Sequence, residues 1–292
     1  MTASVPTTYE LSAEQKSRFD LQGYIVLEGH YDASAIEELH AGIDELQAIP
    51  VEHEAYSKLG VASYALAAAM NDPQHPVWNG DHRTDRVHPE TGTVGRVDHA
   101  LCGTDKFDLI VRDPILKAIH TTLAGGDVFI SATYFIEKVG PVKGGGLHNG
   151  GFPVDRDIYY AYDHTNQRFA CSSTKSVVIL SDMTKIESGP FAAIPGSHKA
   201  NFACPFDMSD ASENPMAVPV FAAPGDVIIF SEGMTHNAFP VTDHSTRRSV
   251  FFCYMPAIGR NNLPDHRMSI YPDHVLERLP DQAELLTSPG YI

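Results

Sequence analysis

The chain has 292 residues, 43% hydrophobic and 20% charged, with 37 acidic side chains against 21 basic ones and a formal net charge of -16. That negative excess repels phosphate backbones and anionic membranes, so nucleic acid and membrane surfaces are not expected partners, and no apolar run approaches the roughly 20 residues a bilayer-spanning helix needs. Cys102, Cys171, Cys204 and Cys253 have neither CxxC nor zinc-type spacing, and no basic-then-apolar signal segment opens the chain, so a reducing cytoplasm is the expected compartment.

Barrels and sandwiches of this length commonly form one domain, so residues 1-292 are read as a single unit. Its parts are a helical and irregular N-terminal portion over 8-125, a β core over 127-256 and a C-terminal extension over 257-292. Residues 11-48 read as helix, strand, helix: Ser12 with Gln15 and Ser34 with Glu37 have capping-box spacing, and Gly-Tyr-Ile-Val-Leu lies between them. Ile36, Leu39, Ile43 and Leu46 give the second helix one apolar stripe. Residues 50-105 are rich in Asn, Asp, His, Gly and Pro with weak periodicity, an irregular stretch that suits a substrate lid. Asp113-Pro114 then predicts a helix from Ile115 to Leu123, stopped at Gly125-Gly126.

From Asp127 the pattern changes to short β-branched and aromatic runs punctuated by Gly, Pro and Asn. Val128 to Val139, Ser176 to Leu180, Phe191 to Ile194, Val227 to Phe230 and Arg248 to Met255 are the clearest predicted strands. Without amphipathic helices between them they argue for an antiparallel sandwich or barrel. The glycines at 144-146 lack the lysine and helix of a phosphate loop and read as a flexible approach to His148.

Two histidines far apart in sequence, His148 and His236, can meet if each ends a neighbouring strand of a small barrel. Arg247 follows eleven residues after the second, with Arg248 as its rival; alternation along Arg248-Ser249-Val250-Phe251 turns only one of the two inward.

Four segments in this order resemble the phytanoyl-CoA dioxygenase family of iron(II)/2-oxoglutarate oxygenases. They are Leu11-Ser12-Ala13-Glu14-Gln15 through Gly23-Tyr24-Ile25-Val26, the His148 loop, Ile194-Pro195-Gly196-Ser197-His198-Lys199, and Pro224-Gly225-Asp226-Val227 leading to His236 and Arg247. The resemblance covers roughly residues 8-260 and implies a mainly β fold with flanking helices, a double-stranded β-helix of the jelly-roll, cupin-like kind. It implies Fe(II), 2-oxoglutarate and O2 as cofactors, and a small-molecule substrate. The family's His-x-Asp falls at His148-Asn149-Gly150, so His148 and His236 would be metal ligands and Gly150 stands where a carboxylate is expected. The cosubstrate arginine of the family lies three residues before a valine, which selects Arg247, with Ser249 on its face as a helper. His198 and Asp226 belong to framework turns in the same resemblance.

The glycine leaves three readings open. A chloride or other small anion could enter the vacated position, as in iron/2-oxoglutarate halogenases with His-x-Gly. Alternatively the protein is a hydroxylase or related oxygenase whose third ligand is water or a carboxylate from elsewhere; Glu232, four residues before His236 and preceded by an apolar run, is the leading candidate, with Asp155 and Asp157 behind it. The third reading is a barrel that binds a small molecule without turnover. Tyr159, Tyr160 and Tyr162 are candidate aromatic walls.

Overall fold

A computed structural model describes residues 9-48, 92-98, 100-149, 160-257, 271 and 273-286. The predicted opening is present: helix α1 (Ala13–Gln22), strand β1 (Tyr24–Leu27) and helix α2 (Ala33–Ala48). Ser12 accepts from the Gln15 backbone N–H while the Gln15 side chain accepts from the Ser12 N–H, a reciprocal box that satisfies two otherwise orphaned donors. The second box does not form. α2 begins one residue earlier than Ser34, and Asp32 Oδ1 accepts from Ala35 N at 2.9 Å. An ionised carboxylate at the positive end of a helix dipole outcompetes a hydroxyl for that place.

Short helices α3 (Ala100–Gly103) and α4 (Asp108–Val111) lead to α5 (Pro114–Ala124). As expected, Asp113 caps it by accepting from Ile115 and Leu116, and Gly125 ends it with φ 74°. The remaining strands are β2 (Thr93–Asp98), β3 (Val128–Val139), β4 (Tyr162–Asp163), β5 (Arg168–Phe169), β6 (Thr174–Ile179), β7 (Phe191–Ala193), β8 (Val218–Val220), β9 (Val227–Ser231), β10 (His236–Ala238) and β11 (Thr246–Pro256). Helices α6 (Asp273–Arg278) and α7 (Ala283–Leu286) close the described chain. No helix among the described residues is long and apolar enough to cross a membrane.

Among the described residues all strand pairs are antiparallel, in a six-stranded sheet ordered β1-β9-β6-β11-β3-β2, a three-stranded sheet ordered β10-β7-β8, and the β4-β5 hairpin. This is the mainly β jelly-roll architecture with flanking helices. Strand alternation divides the larger sheet between two cores. Val178, Val227, Ile229, Val250 and Phe252 pack outward against Phe19 of α1, Leu39, Ile43 and Leu46 of α2, and Leu116, Ile119 and Leu123 of α5. Val177, Ile179, Ile228, Phe230, Phe251 and Cys253 pack inward with Phe191 and Ala193 of the smaller sheet. Each fully buried Leu, Ile or Phe contributes about 1.5–3 kcal/mol, so the helices act as the outer cover that frees the inner face for chemistry.

β2 departs from the irregular reading of 50-105: residues 93-98 form an edge strand on β3. Its central Gly95 and charged Arg96 hid the alternation. The rest of the proposed lid up to residue 91 lies outside the described residues, as do Gly150, Asp155, Asp157 and Tyr159.

His198 and Asp226 hold turns, as the framework reading expects. His198 Nε2 lies 3.1 Å from the Asp20 carbonyl, and Asp226 accepts from Gly29 N and Ala223 N, both at 2.7 Å. Beside Asp226, Gly225 has φ 95° and a Cβ there would sit 2.3 Å from the Tyr31 carbonyl oxygen. Gly225→Ala is therefore expected to cost at least about 2 kcal/mol in chemical denaturation, combining backbone strain with a clash against main chain. An unchanged unfolding midpoint would contradict this.

Candidate metal centre

β10 begins at His236 because the chain turns at Glu232-Gly233-Met234 and returns to pair with β7. The residue opposite it across an isolated antiparallel bridge is His148: His148 N donates to His236 O at 3.1 Å and His236 N to His148 O at 2.8 Å. The ring centroids are 4.5 Å apart. The approach depends on small residues, since a Cβ at Gly145 would lie 2.0 Å from Asn237 Oδ1 and one at Gly144 would lie 2.8 Å from Asp210 Oδ1. The glycine run thus serves close packing on β10, a correction to its reading as a flexible tether.

Both imidazoles are oriented through one ring nitrogen. His236 Nδ1 lies 2.7 Å from the Met234 carbonyl and His148 Nδ1 lies 3.1 Å from the Gly146 carbonyl. A carbonyl only accepts, so His236 Nδ1 carries the proton and its Nε2 keeps the lone pair, while His148 Nδ1 also lies 3.3 Å from Asn237 Nδ2. Neither Nε2 has a hydrogen-bond partner among the described residues. Burial, then the neighbouring His148 and Lys175, hold His236 well below the usual histidine range, so it stays neutral. Two imidazoles with unpartnered Nε2 atoms suit a borderline divalent metal such as iron(II).

Glu232 takes another partner. Lys175 Nζ is 2.6 Å from its Oε2, with both side chains largely buried, and the Glu232 backbone N–H donates to Ser173 O. Burial works against the Lys175 charge, but Glu232, Tyr134 and Cys253 together raise its pKa well above the ordinary value. Among the described residues no group of three or more His, Cys, Asp or Glu could hold a metal ion.

The arginine pair separates as alternation predicts. Arg248 projects outward beneath α2, where it donates to Glu137 and lies 2.9 Å from Asp44. Arg247 is 3% exposed on the inner face; its Nε donates to Gly189 O at 2.8 Å and its Nη1 lies 3.4 Å from Ser249 Oγ. Burial lowers its pKa to about 10, and no carboxylate pairs with it among the described residues. Such a guanidinium, with terminal donors left over, suits a carboxylate ligand.

Sequence reasoning missed the other inner-face cations. Lys138 faces Arg247 across the β3–β11 ladder, Lys175 pairs with Glu232 close enough to His236 to act on its charge, and the Arg96 guanidinium sits 4.0 Å from the Tyr134 ring centroid. The signal was available in β3, where Lys138 continues the inward series of Ala132, Tyr134 and Ile136. The inner face is therefore basic in a protein whose overall charge is strongly negative.

His148 lines a cleft of about 520 Å³ that also reaches Thr235, the neighbour of His236. Leu147, Ile194, Phe202, Met208 and Met216 form apolar walls beside His148. Tyr160 and Tyr162 do not line it; they pack on Phe169, with Tyr160 also against Phe19 and His198.

A family model described as Phytanoyl-CoA dioxygenase (PhyH) matches residues 19–249. The chain is 28% identical over 197 residues to Dioxygenase lolE1 of Epichloe uncinata, a match covering 63% of this chain and 70% of that protein. Among solved structures it resembles HygX from Streptomyces hygroscopicus with nickel and 2-oxoglutarate bound, with TM-score 0.64, 21% identity and coverage of 85% of this chain and 88% of that one. It also resembles the non-heme alpha ketoglutarate dependent epimerase SnoN from nogalamycin biosynthesis, with TM-score 0.55, 19% identity and coverage of 84% and 82%. At such identities the structural likeness speaks for the fold.

Proposed function

The chain belongs to the phytanoyl-CoA dioxygenase family, and on that premise we propose that it is an iron(II)- and 2-oxoglutarate-dependent oxidoreductase acting on a C–H bond of a small molecule. The observation that carries this reading is the donor set: His148 and His236, bridged to each other with unpartnered Nε2 atoms, and a buried Arg247 without a carboxylate partner among the described residues, on the face of β11 that bears Phe251 and Cys253. His148 and His236 would hold iron, and Arg247 with Ser249 would hold the distal carboxylate of 2-oxoglutarate.

When bound, iron with 2-oxoglutarate supplies oxidative decarboxylation coupled to O2 reduction, giving succinate, CO2 and an oxidised substrate. The chain's own residues bind and orient. The Met234 and Gly146 carbonyls fix the imidazole rings, so little rotational freedom remains to be lost when metal binds. Arg247 offers parallel donors that set the direction of the keto acid, and its burial strengthens that interaction. Leu147, Ile194 and Met208 keep the cleft beside His148 largely apolar, which favours an organic substrate and excludes water.

A second reading, halogenation, is favoured by one observation. Lys175 neutralises Glu232, and Gly150 offers no donor side chain, which leaves room for chloride on the metal. The activity test separates the readings. Purified protein loaded with iron(II) is expected to convert 2-oxoglutarate to succinate under O2, and no succinate with any additive would leave only a non-catalytic binding barrel. Turnover undiminished in halide-free buffer assigns hydroxylation or a related oxidation, whereas an absolute need for chloride or bromide assigns halogenation.

A further inference from the structure

Lys138 and Arg247 are direct partners in the β3–β11 ladder, and both side chains belong to the inner face. Lys138 is 6% exposed, and its ammonium has no hydrogen-bond or ion-pair partner among the described residues. Like charges directly opposite one another on a sheet are destabilising, and burial removes the water that would screen them. Burial, then Arg247, lowers the Lys138 pKa to about 7, with Asp210 opposing. Asp210 acts only at a distance: it forms no ion pair with Lys138, and its Oδ1 accepts from Ser212 N at 2.9 Å and Ser212 Oγ at 2.8 Å. Arg247 has committed only its Nε firmly, to Gly189 O. Two adjacent desolvated cations thus lack the anion that would offset their burial and mutual repulsion.

We propose that Lys138 is a second cationic contact for the distal carboxylate of the keto-acid cosubstrate, which would bind between β3 and β11 on Lys138 and Arg247 together. The proposal rests on the reading of Arg247 given above. A carboxylate presents two oxygens with about four lone-pair sites, enough for a guanidinium and an ammonium at once. Its arrival supplies the missing negative charge, so the pair of cations selects a dicarboxylate keto acid over one that lacks the distal group. Lys138 would act by binding and positioning the cosubstrate.

The test is calorimetric titration of nickel(II)-loaded protein with 2-oxoglutarate and with 2-oxobutanoate, which keeps the keto-acid head and lacks the distal carboxylate. Thermal melting of each variant checks the fold. Lys138→Met is expected to weaken 2-oxoglutarate about ten- to hundredfold, the usual range for losing a charge-assisted contact, and to leave 2-oxobutanoate within about twofold. Lys138→Arg is expected to restore most of the affinity. Unchanged 2-oxoglutarate affinity in Lys138→Met, alongside a large loss in Arg247→Met, would overturn the role of Lys138 alone. Equal weakening of both keto acids would also overturn it, by marking the effect as structural. If Arg247→Met has no effect either, the underlying reading of the cosubstrate site fails with it.

Discussion

His236→Ala is expected to abolish iron binding and reduce succinate formation from 2-oxoglutarate to background. His236 is one of two imidazoles at the site, and the described residues offer no third protein ligand to compensate. The side chain is 5% exposed, stacks on Phe191 with an interplanar angle of 13° and lies 4.5 Å from the Phe230 ring centroid. Its loss therefore opens a cavity as well as removing a ligand, at a stability cost on the order of 2 kcal/mol. His236→Gln fills most of that volume with a poorer ligand and separates the two effects. Metal content by elemental analysis, with melting curves for both variants, is the measurement. A folded His236→Gln protein retaining a full equivalent of iron and normal succinate formation would refute the assignment.

Lys175→Met should lower stability by about 3–5 kcal/mol, because it leaves Glu232 buried without its partner. The double variant Lys175→Met with Glu232→Gln is expected to recover most of that loss, since the unpaired charge disappears with its partner. The linkage sign agrees. The folded-state pKa of Lys175 lies above its ordinary value, so its contribution is fully present below the unfolded value near 10.5 and is lost as pH rises through the higher folded value. Stability across neutral pH should therefore be insensitive to this pair. The same variants examine Glu232 as a ligand: Glu232→Gln is expected to keep its iron, and loss of metal from a folded Glu232→Gln protein would reinstate Glu232 as the third donor. Denaturant unfolding and metal analysis on one set of preparations decide both points.

Much of the scaffold was readable from local rules. The Ser12 box, the Asp113 cap with Pro114, the Gly125 stop and the strands β1, β3, β6, β7, β9 and β11 follow from chemistry within a few residues. β2 escaped because an edge strand with a central glycine has weak alternation, and β10 because His-Asn-Ala has no β-branched or large apolar residue to mark a strand, unlike the equally short β7. The second capping box failed for a similar reason, since Asp32 and Ser34 both fit the start of α2 and only the folded backbone shows which one caps it.

The sequence by itself determined that only one of Arg247 and Arg248 turns inward, because side chains on a strand must alternate; the family resemblance pointed to Arg247, since the apolar run Val250, Phe251 and Phe252 fills both faces and sets no phase. It also determined the pairing of a histidine loop with a downstream histidine and arginine, through motifs that survive as local strings. Tertiary structure alone decided how each polar side chain is used. His120 is as deeply buried as His236, yet Thr174 and Ser176 lie 2.7 Å from its two ring nitrogens, so it has no lone pair to give a metal. His236 keeps its Nε2 free because only one carbonyl reaches it. Glu232 meets Lys175, and Lys138 meets Arg247, across ladders that join residues far apart in the chain. Burial and charge pairing depend on which strands become neighbours, a long-range property that no window of adjacent residues records.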